Sequence, residues 1–296
     1  MKTRLGIFIF ALLLLPPAGF LLSGHEWNEL GTDTPAAGSS AAISVTVLLL
    51  LGYALLVNRL VKLRTGNSPF TMQRNYFLAL GMASAALGWL IVYLNLFAAS
   101  WAAEQDHSAL QIMLYSVMFA LLAPSVLSTR ALLGSFTGLL KGLARGPVLS
   151  APPAETPAFI LISLAALGLL GGAAWPAQLF WLLWIAPLLL LVALQLLWHE
   201  STIFSGLKSG DWGRVVCAAL SGLLVGNLAA FGYQASGGNL EMNLPGSLLV
   251  QPGYVLFGLL CLQLGDVISE QWRGKQRNEL LRKKKKFPIP VVVKKG

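Results

Sequence analysis

Of 296 residues, 56% are hydrophobic and only 11% charged, and the mean hydropathy is +0.69. Soluble domains carry about 25% charge, so a water-soluble globular fold is excluded and lipid is the expected solvent for most of the chain. The formal charge of +9 does not make a nucleic-acid binder, because it is confined to one end. Ten of the 21 lysines and arginines lie from Arg273 onward beside one acid, Glu279, and the preceding 272 residues hold eleven of each sign.

A hydrocarbon layer about 30 Å thick takes roughly 20 apolar residues of helix. Such runs occupy residues 5–23, 41–61, 76–99, 109–128, 157–174, 178–198, 214–233 and 247–268. They predict an all-α membrane protein of about eight transmembrane helices, with a polytopic domain over 1–268 and a basic tail over 269–296. The first run opens "MKTRLGIFIFALLLL", the pattern of a signal peptide. The "LLSGHEW" that follows is a poor cleavage site, so this span is expected to be retained.

With the N-terminus in the cytoplasm, every basic residue falls on the cytoplasmic side: Lys2 and Arg4, then Arg59, Lys62, Arg64 and Arg74, then Arg130, Lys141 and Arg145, then Lys208 and Arg214, and last the tail. The outer loops hold Glu26, Glu29, Asp33, Glu104, Asp106 and Glu241 instead. That partition is the positive-inside rule, and it predicts cytoplasmic termini in a bacterial-type inner membrane. Between the fifth and sixth spans "GGAAWPAQ" leaves room for a tight turn only, with Trp175 and Pro176 at the interface. After the fourth span, "TRALLGSFTGLLKGLAR" puts Leu132, Leu133, Phe136, Leu139, Leu140 and Leu143 on one face, and reads as one amphipathic helix on the cytoplasmic leaflet. "SAPPAETP" reads as a stiff linker, and Asp211 in "SGDWGR" is placed to N-cap the seventh span.

Ionisable groups inside a span are the usual mark of transport or catalysis, and the eight runs hold almost none. Glu200 and Asp266 lie near cytoplasmic ends, where water reaches them. His25 and His107 belong to outer loops; with Glu26, Glu104 and Asp106 they would make a metal site only if those loops met, and solvated loop groups are the plainer reading. His199 ends the sixth span, and "HE" at 199–200 lacks the second histidine of a zinc-protease helix. No span has a central histidine for haem. "ALSGL" and "QASGG" carry Ser-Gly pairs without a buried base, so they read as packing surfaces, as do Gly222 and Gly226. Cys217 and Cys261 fall in apolar runs and are not expected to pair. No cofactor is predicted. The polar groups left inside the membrane are neutral: Trp89, Tyr93, Asn95, Gln111, Gln195, Asn227 and Gln263. They are candidates for interhelical contacts or for the lining of a pocket.

"GWLIVYLNLFAASW", "MFALLAPSVLSTRALL" and "LKSGDWGRVVCAALSGLLVGNLAAFGYQ" resemble an uncharacterised family of bacterial polytopic inner-membrane proteins. That family carries a Trp/Glu/Asn signature in one span, a Thr-Val-Leu-Pro-like stretch in the next and a G-x-x-W-E-x-W-N signature late in the chain. The resemblance spans roughly residues 65–265 and keeps Trp89, Asn95, Trp101, Pro124, Trp184, Asp211, Trp212 and Gly226. The acidic positions are missing, and "NLAAFGY" stands where Trp-Glu-x-Trp-Asn belongs. The loss implies a structural or assembly role over catalysis.

The leading expectation is therefore a non-catalytic accessory or scaffold subunit of a larger membrane complex, for instance an energy-transducing one. The alternatives are a transporter or flippase of a neutral or lipid-like substrate, with Asn95, Asn227 and Gln263 in its path, and a lipid-acting enzyme using His199, Glu200, Asp211 and Asp266 at the cytoplasmic face. Expected partners are anionic membrane lipids, other membrane subunits and a cytoplasmic partner for the tail, with no nucleic acid. In that tail Arg282, Lys283, Lys284, Lys285 and Lys286 suit an anionic leaflet. The stretch opened by Phe287, Pro288, Ile289 and Pro290 is apolar and stiff, and its valines suit strand addition to a partner sheet.

Overall fold

The computed structural model describes residues 37–103, 108–149, 155–244 and 247–272. Within them lie seven helices long and apolar enough to cross a membrane, with spans of 19 to 26 residues and mean hydropathies of 1.4 to 2.4. The chain is a multi-pass, predominantly α-helical membrane protein. The helices are α1 (Ala37–Thr65), α2 (Arg74–Ala98), α3 (Ala109–Gly134), α4 (Glu155–Ala174), α5 (Pro176–Leu197), α6 (Gly213–Ala235) and α7 (Val250–Trp272). They match the second to eighth predicted spans; the first predicted span, the tail over 273–296, His25, His107 and most of the linker lie outside the described residues.

Each helix stops for a local reason. α1 carries Lys62 and Arg64 in its last turn, where the helix dipole favours cations. The chain then makes one turn, Pro69–Met72, capped by Ser68, before α2 begins. α4 and α5 meet at a tight turn as predicted, with Trp175 at the N-cap and Pro176 in the first turn of α5. α5 ends in a Schellman motif: the His199 N–H bonds to the Leu196 carbonyl and the Glu200 N–H to that of Gln195, and His199 takes the left-handed φ of 55° that usually calls for glycine.

Two predicted features are corrected. "TRALLGSFTGLLKGLAR" is not one interfacial helix. Its first six residues continue α3 to Gly134, the chain breaks at Ser135 and Phe136, and only Thr137–Leu143 forms a separate short helix. The apolar Ala131, Leu132 and Leu133 simply extend the span, and the Arg64 guanidinium sits over the Phe136 ring at 4.0 Å. Asp211 is not the N-cap of α6. Trp212 holds that position, and the Asp211 carboxylate accepts from the Gly213 N–H at 2.8 Å, one residue displaced. The helical class stands as predicted, and a short ribbon adds to it: Trp101–Ala103 (β1) pairs antiparallel with Leu240–Met242 (β2), Ala102 opposite Glu241. Three-residue strands carry too little alternation to be read from sequence.

α3 lies at the centre, packed against α1, α2, α6 and α7, while α4 packs mainly on α5 at the periphery. α6 and α7 cross backbone to backbone, since a Cβ on Gly222 would strike the Tyr254 carbonyl and the Gly258 Cα, and one on Gly258 would strike the Ala218 carbonyl. This is the small-residue packing foreseen at Gly222. Both cysteines are free and buried, also as expected.

Polar bonds tie the basic ends of the helices together: Arg64 to Ser135, Asn58 to Ser128, Tyr76 to the Gly265 carbonyl, and Arg214 to Asp266. The described lysines and arginines gather at this one end, hereafter the basic end. The β1–β2 ribbon closes the opposite end.

Candidate functional site

The half of the bundle away from the basic end holds a partly open cavity of about 460 Å³. Pockets that hold small ligands typically span about 300–1,000 Å³. Its walls come from five helices: Trp89 and Val92 of α2, Tyr115 and Phe119 of α3, Trp184 of α5, Ala229 and Tyr233 of α6, and Tyr254 and Phe257 of α7. The ribbon roofs it through Trp101, Ala103, Leu240 and Met242. No Asp, Glu, Lys, Arg or His lines it among the described residues. A second hollow of about 260 Å³ adjoins it, sharing Ser100, Phe180 and Leu244.

The walls are held rigidly. Trp89 Nε1 donates to Ser116 Oγ at 3.0 Å, and its ring meets Phe119 edge-on at 5.6 Å. Tyr115 stacks on the other side of Phe119 at 5.8 Å. Two glycines make room for these rings: a side chain on Gly88 would overlap Phe119, and one on Gly226 would overlap Tyr254. Trp184 Nε1 reaches across to Ser100 Oγ at 3.1 Å, joining α5 to the roof.

The roof itself depends on Asn95. Its Oδ1 accepts from the N–H groups of Ser100 (3.0 Å) and Trp101 (3.3 Å), and its Nδ2 donates to the Trp101 carbonyl at 2.7 Å. Ala99, just after α2, sits at φ 45°, and this left-handed turn swings the chain back over the helix end. Asn243 closes the other strand, its N–H bonding to the Ser100 carbonyl at 3.0 Å and its Nδ2 to that of Ala99 at 3.2 Å.

Beneath the cavity α3 is opened at two successive rungs. Ser84 of α2 donates to the Phe119 carbonyl and accepts from the Ala123 N–H, a pair that an uninterrupted helix joins directly. The next residue, Pro124, has no N–H to return to Ala120. Ser84 was not a sequence candidate, because one serine in an apolar span carries no signal until the helix opposite it is known.

The structure divides the seven intramembrane candidates into separate groups, and Gln111, buried, lines the cavity. Trp89 lines the cavity and Asn95 builds its roof. Tyr93 lies 40% exposed on the helix surface, stacked edge-on with Phe97. Asn227 is exposed and exchanges two amide hydrogen bonds with Gln251, at 2.8 and 3.1 Å, clasping α6 to α7. Gln195 and Gln263 meet in the other half of the bundle, both 0% exposed, joined by one bond from Gln263 Nε2 to Gln195 Oε1. Gln195 Nε2 and Gln263 Oε1 are buried there without a partner. Asn95, Asn227 and Gln263 do not line this cavity. Gln251, the partner of Asn227, was missed by sequence reading; it sits in "QPG" at a span edge, where an amide reads as interfacial.

The groups weighed for enzymatic chemistry are largely committed to structure. Asp266 is paired with Arg214, Asp211 holds the start of α6, and His199 terminates α5. Among the described residues no three His, Cys, Asp or Glu gather as metal ligands. Compared with known proteins, the chain matches no family model, no curated protein and no solved structure.

Proposed function

We propose that this multi-pass protein holds one neutral or lipid-like molecule by its apolar part in the cavity beneath the ribbon, and transports or presents it. The carrying observation is the cavity of about 460 Å³ bounded by aromatic and aliphatic side chains. A packed bundle gains nothing by leaving such a volume empty. An apolar ligand fills it by dispersion contacts, and Trp89, Tyr115 and Tyr233 set its boundary. With the basic end in the cytoplasm of a bacterial-type cell, as the positive-inside rule has it, the cavity lies in the outer half of the inner membrane.

The accessory-subunit reading stands beside this one for a specific reason. Among the described residues, the cavity lining carries no charged group that would couple release to protons or ions, which favours a partner subunit supplying the drive. The family resemblance, resting on residues such as Trp89 and Asn95, belongs to the same proposal, as do anionic lipids and the tail's cytoplasmic partner.

The test is lipid extraction and mass analysis of the protein purified in mild detergent, beside an Ala229→Trp variant whose indole occupies the cavity. The wild type is expected to carry a near-stoichiometric lipid-like molecule that the variant lacks. Equal lipid content in two folded proteins would sink the reading.

A further inference from the structure

At the basic end, Arg130 of α3, Arg214 of α6 and Asp266 of α7 stand within Coulomb reach of one another. Arg214 Nη2 donates to Asp266 Oδ2 at 2.5 Å, a contact through one nitrogen only. Arg214 Nε is shut off from solvent and has no acceptor among the described residues. Arg130 is half-buried and makes no ion pair among the described residues. Glu270, one turn beyond Asp266, stands near that carboxylate but pairs with neither arginine. The Tyr76 hydroxyl, near Arg130, donates to the Gly265 carbonyl at 3.1 Å.

Two guanidiniums thus stand near one carboxylate that contacts only Arg214, and like charges at the edge of a low-dielectric slab repel. Asp266 takes up one nitrogen of one of them. An arginine fork matches the oxygens of a phosphate, which can accept from several N–H groups at once. Snorkelling alone would hydrate Arg130, but it leaves two like charges beside one carboxylate. We propose that Arg130 and Arg214 form a binding site for a phosphate group at the basic end of the bundle, with Asp266 orienting Arg214 and limiting the affinity. The phosphate comes from a lipid headgroup or from solution, and the site is independent of the apolar cavity at the other end.

The full chain, purified in a maltoside detergent that carries no phosphate, is titrated with inorganic phosphate and separately with short-chain phosphatidylglycerol. Binding is read by thermal shift and by native mass spectrometry. Saturable binding of phosphatidylglycerol alone supports the site and assigns it to a headgroup; binding of both supports it and shows that the phosphate suffices. Arg130→Gln is expected to weaken binding roughly tenfold or more, the loss of a charge-assisted contact, while Lys141→Gln, at the same end but outside the cluster, leaves it unchanged. Asp266→Asn is expected to tighten binding several-fold, a gain that a purely structural role for the cluster does not produce. The proposal is overturned if neither probe binds the wild type, if Arg130→Gln binds as the wild type does, or if Lys141→Gln loses as much. Should Arg130→Gln fail to fold, Arg130→Lys and Asp266→Asn decide: an Asp266→Asn protein that binds no more tightly than the wild type overturns it.

Discussion

Replacing Gln263 by leucine separates two views of a buried amide in a membrane bundle. Gln195 and Gln263 are both 0% exposed and share a single hydrogen bond, with Gln195 Nε2 and Gln263 Oε1 already unpartnered. Interhelical hydrogen bonds in membranes contribute about 0.6 kcal/mol on average and about 1.7 at most. Leaving a further buried polar atom without a partner costs about 1–3 kcal/mol. Gln263→Leu removes the bond and orphans Gln195 Oε1, but it also removes the unpartnered Gln263 Oε1. The net expectation is a loss of about 1–2 kcal/mol. In Gln195→Leu/Gln263→Leu every one of these polar atoms is gone and two apolar side chains of similar size meet, so stability returns to the wild-type value or exceeds it. With a similar loss for Gln195→Leu, the coupling between the sites should therefore be about 2–4 kcal/mol, the sum of the two single losses. Reversible unfolding of the four proteins in mixed micelles, with detergent composition as the denaturing variable, measures the cycle. Additive losses, with the double variant weaker than either single one, would refute the reasoning and show the amides to be net stabilising glue.

At the α6–α7 crossing, Gly222→Ala is expected to cost about 1–3 kcal/mol or more by overpacking, because its Cβ meets backbone that cannot rotate away; the same micelle unfolding reads it. His199→Gly should stabilise by about 1–2 kcal/mol by relieving the left-handed turn after α5, whereas a loss of function without loss of stability would point to chemistry at the imidazole. Asn95→Ala unties three hydrogen bonds of the ribbon roof, so hydrogen exchange of residues 100–103 should speed by an order of magnitude or more while the helices keep their protection. Cysteine scanning checks orientation: Glu241→Cys should react in intact cells with a membrane-impermeant maleimide and Lys208→Cys should not, with little background from the buried Cys217 and Cys261.

Much of the architecture is local, and so was legible in the chain. Twenty-residue apolar runs must be helices in lipid, since no other open structure satisfies their backbone there, and the predicted spans from 41–61 to 247–268 each coincide with a helix. Trp175-Pro176 defines its turn by proline's fixed φ, and Gly222 its crossing by lacking a side chain. What failed was also local in cause: residues 129–145 have the right face for an interfacial helix, yet nothing in them marks where the span ends and the surface begins. At that break Arg64 of another helix sits over the Phe136 ring.

Which polar groups meet was decided by the tertiary structure alone. Asn95, Asn227 and Gln263 look alike in sequence, as lone amides in apolar runs, but one builds a roof, one clasps two helices at the surface and one is sealed against a second amide. The cavity is less legible still, since it exists because Gly88 and Gly226 let aromatic rings lie back against neighbouring helices and because two three-residue strands, 137 residues apart between Ala103 and Leu240, pair above it. Hydrophobicity and charge fix how often the chain crosses and which ends gather together, because those are sums over each segment. The hollow between segments depends on side-chain shapes meeting across helices, and only their packing could determine it.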